Sequence, residues 1–385
     1  MSSNNNTLDF KSLCNKFDLM INMRRFEEAD KVINQIETRY PKEKNTSLYY
    51  KVIMSYYLDR DNSFKQYDSL FFSRNLYTCE GYYYSVKIEA FSKEKIHINL
   101  GNNWNPLNPS IIRNDNNFTL NIRCSNYQIL PGGRYVSLDS DKVIRTRNLI
   151  RVLDNNFRVI EEYELIQPDK CTRKDGFGIK GFEDIRLFMF NSTLCFSSAT
   201  YDTHRLNVQR MVMGNIIDKE IVNVNNLDIP NQKKGTEKNW LPYEENGKLL
   251  FIYSCNPFLI LDCTDHRNIK LHSCDRKDII NLKHFRGSCP PIKYNLGYLF
   301  VIHQVYTRKD NSKVYVQRLV YQENNKIKSF SHQFYFEQLQ IEFCSGMCQD
   351  QNNDFVFTFG IEDVAAYIYR VKKEVIDEMI KQNML

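Results

Sequence analysis

The sequence predicts an all-β protein, a five-bladed β-propeller preceded by a small N-terminal α-helical segment. Five stretches share one pattern, a β-rich run leading into polar or small residues: Phe118–Tyr127, Leu194–Thr203, Leu249–Phe258, Leu299–Thr307 and Phe355–Asp363. Their first residues lie 76, 55, 50 and 56 positions apart, and a blade of four short antiparallel strands takes about 40–50 residues. The chain also holds 24 Tyr and 25 Phe, the bulky cross-strand partners that strands use and the flat apolar faces that suit a sugar site. A propeller gathers loops from every blade around one central pocket, so polar residues far apart in sequence can meet there.

Three segments are expected: residues 1–77 as a helical hairpin segment, 78–373 as the propeller and 374–385 as a C-terminal helix. In the first, Leu19, Ile21, Phe26, Ala29, Val32, Ile33 and Ile36 follow a helical spacing on an otherwise charged stretch. Pro41 stops that helix, Asn45–Ser47 offers caps for a second helix over Leu48–Leu58, and a third helical stretch lies around Phe64–Phe72. Helix pairs of this kind, around RRFEEADKVINQIETRYP, resemble a tetratricopeptide-type hairpin. Two readings stay open: a helical cap on the larger domain, or a module that binds a protein partner.

From about residue 78 the pattern becomes strands separated by Asn, Asp and Gly turns, until Glu374–Met384 reads as a short closing helix. The widest spacing, between the first two repeats, places Gln167–Lys180 as an inserted loop. Its Lys, Arg and Gly content suits either the mouth of the pocket or a plain surface loop.

Bulk composition narrows the function classes. A net charge of +6 spread over 385 residues gives no basic cluster, so no nucleic-acid partner is expected. Eleven cysteines with no CxxC pair and no framework spacing point to a reducing compartment and away from zinc, and the expected location is cytoplasmic. The N-terminal MSSNNNTLDF lacks the basic flank and apolar core of a signal peptide, and no apolar stretch approaches the ~20 residues of a spanning helix. His97, His204, His266, His272 and His332 are dispersed without ligand spacing, so no metal is expected. A phosphate-binding Gly loop, a dinucleotide fingerprint and a Ser-nucleophile elbow are all missing, and no cofactor is expected.

The strongest local signal is Gly181–Phe188 (GFEDIRLF), in which Glu183 and Asp184, followed by Arg186, head an apolar strand. Paired acids beside an Arg suit glycosyl transfer, with one carboxyl moving a proton while the Arg fixes a hydroxyl or phosphate. Structural salt bridges use the same letters. Comparable polar groups recur in the other blades: Asn108-Pro109-Ser110 with Arg123, Glu237–Pro242, Arg286–Pro291 with His303, and Glu342–Gly346 with Gly360–Asp363. Each alone passes as turn chemistry. Together they form one polar group per blade, the arrangement a central site requires, and this coincidence points to an enzyme. Trp104 and Trp240 could stack on a sugar or serve as core aromatics.

The same residues resemble a known family. Asn-Pro-Ser, Arg, Gly-x-Glu-Asp-x-Arg, Lys-Asn-x-x-x-Pro, Gly-x-x-Pro-Pro-Ile with Gly-Tyr-Leu-x-x-x-His, Phe-Cys-x-Gly and Gly-x-x-Asp occur in that order. They look like the β-mannoside phosphorylases, five-bladed propellers classed with the inverting glycoside hydrolases, and like the related protist mannosyltransferase-phosphorylases. The resemblance covers about residues 105–372 and is most specific over Gly287–Val305 (GSCPPIKYNLGYLFVIHQV). The chain is also similar to propeller domains found beside tetratricopeptide segments in bacterial sugar-transferase proteins.

This resemblance implies that Asp184 is the proton donor, acting through a sugar hydroxyl that relays the proton to the glycosidic oxygen. Asn108 and Arg123 would hold the sugar in the −1 subsite and Asp363 would bind further hydroxyls. Ser110, Glu183, Arg186 and Trp240 complete the expected substrate-binding set. Lys238, Arg286, His303 and Tyr315 form the expected phosphate or donor side. Two departures thin the phosphate cradle: His284 and Arg286 stand where the family carries a Lys, and Tyr253 and Ser254 where it carries an Arg. Arg123 and Arg186 close to Asp184 would favour its ionised form, whereas Glu183 as a near neighbour and burial would push the other way; an Asp184 that stays ionised suits a base that deprotonates an acceptor hydroxyl.

The expected function is therefore inverting transfer of a glycosyl unit, mannosyl by resemblance, between a sugar-phosphate or nucleotide-sugar donor and an oligosaccharide acceptor, by a glycosyltransferase or phosphorylase. The alternatives are a non-catalytic propeller that binds glycans or proteins, and a β-mannoside hydrolase.

Overall fold

The computed structural model describes residues 9–23, 25–43, 46–47, 50–51, 54, 82, 85–114, 116–130, 134–168, 178–203, 208–229, 235–308, 311–381 and 383–384. The chain divides into two compact units, Met1–Ser85 and Val86–Leu385, a boundary eight residues beyond the expected 77/78.

In the first unit, helix α1 (Phe10–Asn22) starts at Asp9, whose Oδ1 accepts a 2.7 Å hydrogen bond from the Ser12 amide, and helix α2 spans Phe26–Arg39. Leu13, Phe17, Met20 and Ile21 of α1 pack with Ala29, Val32, Ile33 and Ile36 of α2, and Phe17 stacks on Tyr50 at 3.8 Å. The single helix expected through Leu19–Ile36 is thus two. Each helix carries its own apolar stripe, and the break near Met23, whose amide bonds to Leu19 O, lets the stripes face each other. Leu19, counted in the expected stripe, is 53% exposed. The expected helix over 48–58 lies mostly, and that over 64–72 entirely, outside the described residues. One packed helix pair does not establish a tetratricopeptide-type hairpin.

The second unit is a five-bladed propeller. Strands β1 (Val86–Lys87) and β2 (Ser92–Ile96) come first. Blade 1 contains β3 (Asn105–Asn114) and β4 (Asn117–Ser125), then a hairpin of β5 (Tyr127–Leu130) and β6 (Arg134–Ser137), then β7 (Thr146–Leu153) and β8 (Val159–Glu164). Blade 2 is β9 (Glu183–Phe190), β10 (Thr193–Thr200), β11 (Arg210–Ile217) and β12 (Glu220–Asn226). Blade 3 is β13 (Leu241–Glu245), β14 (Lys248–Cys255), β15 (Phe258–Asp262) and β16 (Lys270–Asp275). Blade 4 is β17 (Arg286–Tyr294), β18 (Gly297–Thr307), β19 (Lys313–Glu323) and β20 (Lys326–Phe330), with β21 (Phe334–Tyr335) pairing β1 at its edge. Blade 5 is β22 (Glu342–Gln349), β23 (Phe355–Ile361) and β24 (Ala365–Val371), and its fourth strand is β2 from the start of the unit.

That pairing, Ser92↔Arg370 through Ile96↔Ala366, closes the ring with an N-terminal strand. The innermost strands meet in cyclic order, β3 on β9, β9 on β13, β13 on β17, β17 on β22 and β22 on β3. Each seam between blades is an apolar layer. Ile111, Phe118 and Ile122 meet Val356 and Ile368 at the seam of blades 5 and 1. Ile150 meets Ile185, Leu187 and Phe196 at the next, and Phe188 and Met211 meet Trp240 and Phe251 at the one after. Phe258 stacks on Phe300 between blades 3 and 4, and Cys289, Val301 and Leu319 meet Phe357 and Phe359 between blades 4 and 5.

All five repeated sequence runs are the second strands of their blades, β4, β10, β14, β18 and β23. Such a strand is covered by a neighbouring blade on each face, so its residues are buried almost continuously instead of alternately. The last helix, α3 (Lys373–Lys381), stops short of the expected Met384, because Asn383–Met384 pair with β20 as β25. Through Ile376, Met379 and Ile380 it joins the core of blades 4 and 5 and so belongs to the propeller unit. Among the described residues no helix is long and apolar enough to cross a membrane.

Candidate functional site

The inner strands are not regular. In β3 the register with β4 passes from Leu107↔Arg123 to Ser110↔Asn121, and in β9 the register with β10 passes from Arg186↔Ser197 to Glu183↔Ala199. Each inner strand therefore carries one extra residue. The inner strand gains a residue in the same way between Gly287 and Cys289 in β17, and between Cys344 and Gly346 in β22. A bulge kinks a strand and re-aims its side chains. Here the bulges hold Asn108 at φ 43° and Asp184 at φ 49°, with Asn239 at φ 67° ahead of β13 and Asp363 at φ 55° after β23. Left-handed backbone at a carboxylate is uncommon and costs about 1–3 kcal/mol, persisting where surrounding contacts enforce it. Close packing enforces it at Asn108: a Cβ on Gly360 would sit 2.6 Å from the Asn108 amide nitrogen, so only glycine lets β23 approach.

These features converge on one cavity of about 290 Å³, near the lower end of the ~300–1,000 Å³ of small-ligand sites. Asn108, Arg123, Glu183, Asp184, Lys238, Arg286, His303, Tyr315 and Asp363 all line it. Three expected substrate-binding residues do not. Ser110 is buried and its Oγ accepts from the Leu187 amide at 3.3 Å, tying β3 to β9. Arg186 is buried as a strut between blades: its guanidinium donates to Ser288 O at 2.8 Å, to Asn239 Oδ1 at 3.1 Å and to Asp184 O at 3.3 Å. Trp240, 1% exposed, packs between blades 2 and 3 and donates its indole N–H to Glu237 at 3.1 Å, so the wall of the central cavity has no Trp240 face to stack on.

The carboxylates are organised by Arg123, which is 3% exposed. It donates to Asp184 Oδ1 at 2.7 Å, to Glu183 Oε2 at 3.2 Å and to Thr146 Oγ1 at 2.8 Å. Asn108 Nδ2 adds a 2.9 Å bond to the same Asp184 oxygen, and Gln209 Nε2 donates to Glu183 Oε1 at 2.8 Å. The two acids are driven apart in acidity. Burial pushes Asp184 up, but Arg123, Arg186 and the two donors outweigh it and hold its carboxyl below the ordinary carboxylate value. For Glu183 burial wins over Arg123, aided by the neighbouring Asp184 charge, and its carboxyl rises to about 7. The Asp184 side chain is 22% exposed and Glu183 11%, so the ionised acid is the one that meets a ligand. Asp363 is raised by burial although Tyr127 donates to it at 2.8 Å.

On the other wall, Lys238 and Arg286 are exposed to the cavity, and among the described residues neither makes an ion pair. His303 is buried, with Nδ1 2.9 Å from Ser288 Oγ and its ring stacked on Tyr315 at 5.7 Å. Burial, reinforced by Arg186, Arg286 and Lys238, lowers it to about 3. It is neutral at ordinary pH, so it can offer a ligand a hydrogen bond but not a charge. Positive charge on this wall comes from Lys238 and Arg286. Among the described residues no cluster of three or more His, Cys, Asp or Glu could hold a metal.

Sequence reasoning gave no part in the site to Tyr127 and Gln209, and it named Ser288 and Phe343 only as members of the polar groups of blades 4 and 5, without a role. Tyr127 ends the first repeated run and Ser288 lies in the GSCPP turn, so both had a positional signal; Gln209 had none.

No family model matches the chain, and no curated protein matches it. Among solved structures it is similar to the β-1,2-mannobiose phosphorylase from Listeria innocua, at 13% identity and a TM-score of 0.49, covering 76% of this chain and 99% of that one. A glycosyl hydrolase from Bacteroides ovatus is 12% identical with a TM-score of 0.48, covering 70% and 84%. The mannose phosphorylase MPT-4 from Leishmania mexicana is 9% identical with a TM-score of 0.45, covering 74% and 89%. The likeness is one of fold.

Proposed function

We propose that the propeller is a carbohydrate-active enzyme that transfers a glycosyl unit, with inversion, between a phosphate-bearing donor and a glycan acceptor. One observation carries this reading. A strained, ionised and partly exposed Asp184 shares a small cavity with two cations, Lys238 and Arg286, that make no ion pair among the described residues. The first is a base poised for a hydroxyl; the second pair is an anion site, which water as the nucleophile would not need. The mannosyl preference rests on the sequence resemblance over about residues 105–372. Buried thiols such as Cys124, Cys255 and Cys289 fit a reducing compartment.

In the synthetic direction Asp184 takes the proton of an acceptor hydroxyl as that oxygen forms its bond to the anomeric carbon. The bond from that carbon to the phosphate oxygen breaks, and Lys238 and Arg286 hold the departing charge. Attack and departure occur on opposite faces of the sugar. Asn108 and Arg123 fix the carboxylate, and Glu183, protonated up to about pH 7, braces Arg123 without adding a second full charge.

The test incubates the protein with mannose 1-phosphate or a nucleotide-mannose and short mannosides, following chain extension and phosphate release. Turnover that disappears in Asp184→Asn supports the assignment; an unimpaired variant rejects it. Saturable binding without product in the wild-type protein would leave a binding propeller.

A further inference from the structure

A second cavity, of about 440 Å³, opens beside the first and is the larger of the two. It lies between blades 3 and 4, and three residues line both spaces: Lys238, Asn239 and Arg286. The cations therefore stand at a junction, with the carboxylates on one side and a different chemistry on the other. That other side contains Tyr253, half-buried and edge-on to Trp240 at 5.3 Å, together with Phe285, Ile252 and Thr236. Its acid is Glu237, which accepts from Trp240 Nε1 at 3.1 Å and from Tyr253 OH at 3.5 Å.

From this we infer that the donor is a nucleoside diphosphate sugar, with the sugar in the central cavity, the diphosphate at Lys238 and Arg286, and the nucleoside against Tyr253. The inference rests on the proposed transfer reaction. In a displacement with inversion the acceptor arrives on the face opposite the departing phosphate. A cavity reached past the phosphate-holding cations is thus on the leaving-group side, where an acceptor sugar has no place. What extends beyond the phosphate is the remainder of the leaving group. A sugar 1-phosphate has no such remainder and would leave the larger cavity unused. An aromatic wall with one carboxylate suits a nucleobase, which offers a flat face for stacking and N–H groups for an acid.

Calorimetry with GDP, UDP, inorganic phosphate and mannose 1-phosphate tests this on the full chain. At least one nucleotide should bind more tightly than inorganic phosphate by about tenfold or more, the scale that a stacked base adds. Thr236→Trp, on an exposed loop lining only the second cavity, should weaken that nucleotide by about tenfold by displacing the base. The same substitution should leave mannose 1-phosphate unchanged. Tyr253→Ala should act in the same direction by removing the stacking face, and a thermal melt of each variant checks its folding. Nucleotides that bind no better than inorganic phosphate overturn the inference. So does a nucleotide affinity that neither variant changes, or a loss shared equally with mannose 1-phosphate. Mannose 1-phosphate that binds and reacts while both nucleotides fail leaves the transferase reading standing and removes only this one.

Discussion

Asp184 and Glu183 are adjacent in sequence, yet their surroundings drive their acidities in opposite directions. Asp184 receives Arg123 and Asn108 on one oxygen and is held ionised; Glu183 is more deeply buried and its carboxyl rises to about 7. The consequences for pH have opposite signs. Asp184, depressed below its ordinary value of 3.8, contributes stability that is present above that value and lost as the pH falls through its lower folded value. Glu183 binds its proton more tightly folded than unfolded, so between about 4.5 and 7 its contribution falls as the pH rises. Urea unfolding of Glu183→Gln across that interval should therefore show a flatter pH dependence than the wild-type protein. The acid limb of the transfer rate should fall only below the ordinary carboxylate range, because the base is Asp184. Replacing it by Asn should lower the rate by about 10²–10⁴-fold, the usual weight of a positioned acid or base. A pH–rate profile on wild type checks the first expectation and single-turnover kinetics the second.

At the scale of elements, the device that builds the site is the bulged inner strand. Four of the five inner strands gain a residue near the cavity, and two of those bulges hold Asn108 and Asp184 in left-handed backbone. Gly360→Ala would drive a methyl group into Asn108. Overpacking of this kind costs about 1–3 kcal/mol, and here it should also lower the transfer rate by shifting the donor to Asp184. Thermal denaturation and kcat measured on the same preparation separate the two effects. This element also explains what the sequence could show. The second strands were legible because burial on both faces makes them continuous apolar runs, as in Leu299–Thr307. The inner strands were legible only through their polar letters, since a bulge has no periodicity. Those letters do not separate Asp184, which faces the cavity, from Arg186, which is a strut between blades. Trp240 misled for a similar reason: its polar neighbours at 237–239 reach the cavities, while the indole belongs to the seam of blades 2 and 3. That the first helix ends at Asn22 and a second begins at Phe26 was hidden because two apolar stripes in succession read as one.

Over the whole molecule, closure makes the site possible. Strand β2 is the fourth strand of blade 5, so the ring is fastened by pairing the start of the unit to its end. Ile96 is the buried anchor of that strand, packed in the seam of blades 5 and 1. Ile96→Ala should lower stability by about 2–5 kcal/mol, as for other buried Ile, while the propeller still unfolds in one transition. Neither the pairing of β2 with β24 nor the cavity between blades 3 and 4 leaves a local mark in the sequence, because both are contacts between segments far apart in the chain. The central claim is that Asp184 of blade 2, Arg123 of blade 1 and His303 of blade 4 face one space that takes a sugar and an anion together. A crystal structure of the protein soaked with mannose and phosphate tests it most directly. The expected result is mannose against Asn108, Asp184 and Asp363, with phosphate between Lys238 and Arg286. Density for both ligands on the outer faces of the blades, with the central cavity empty, would contradict it.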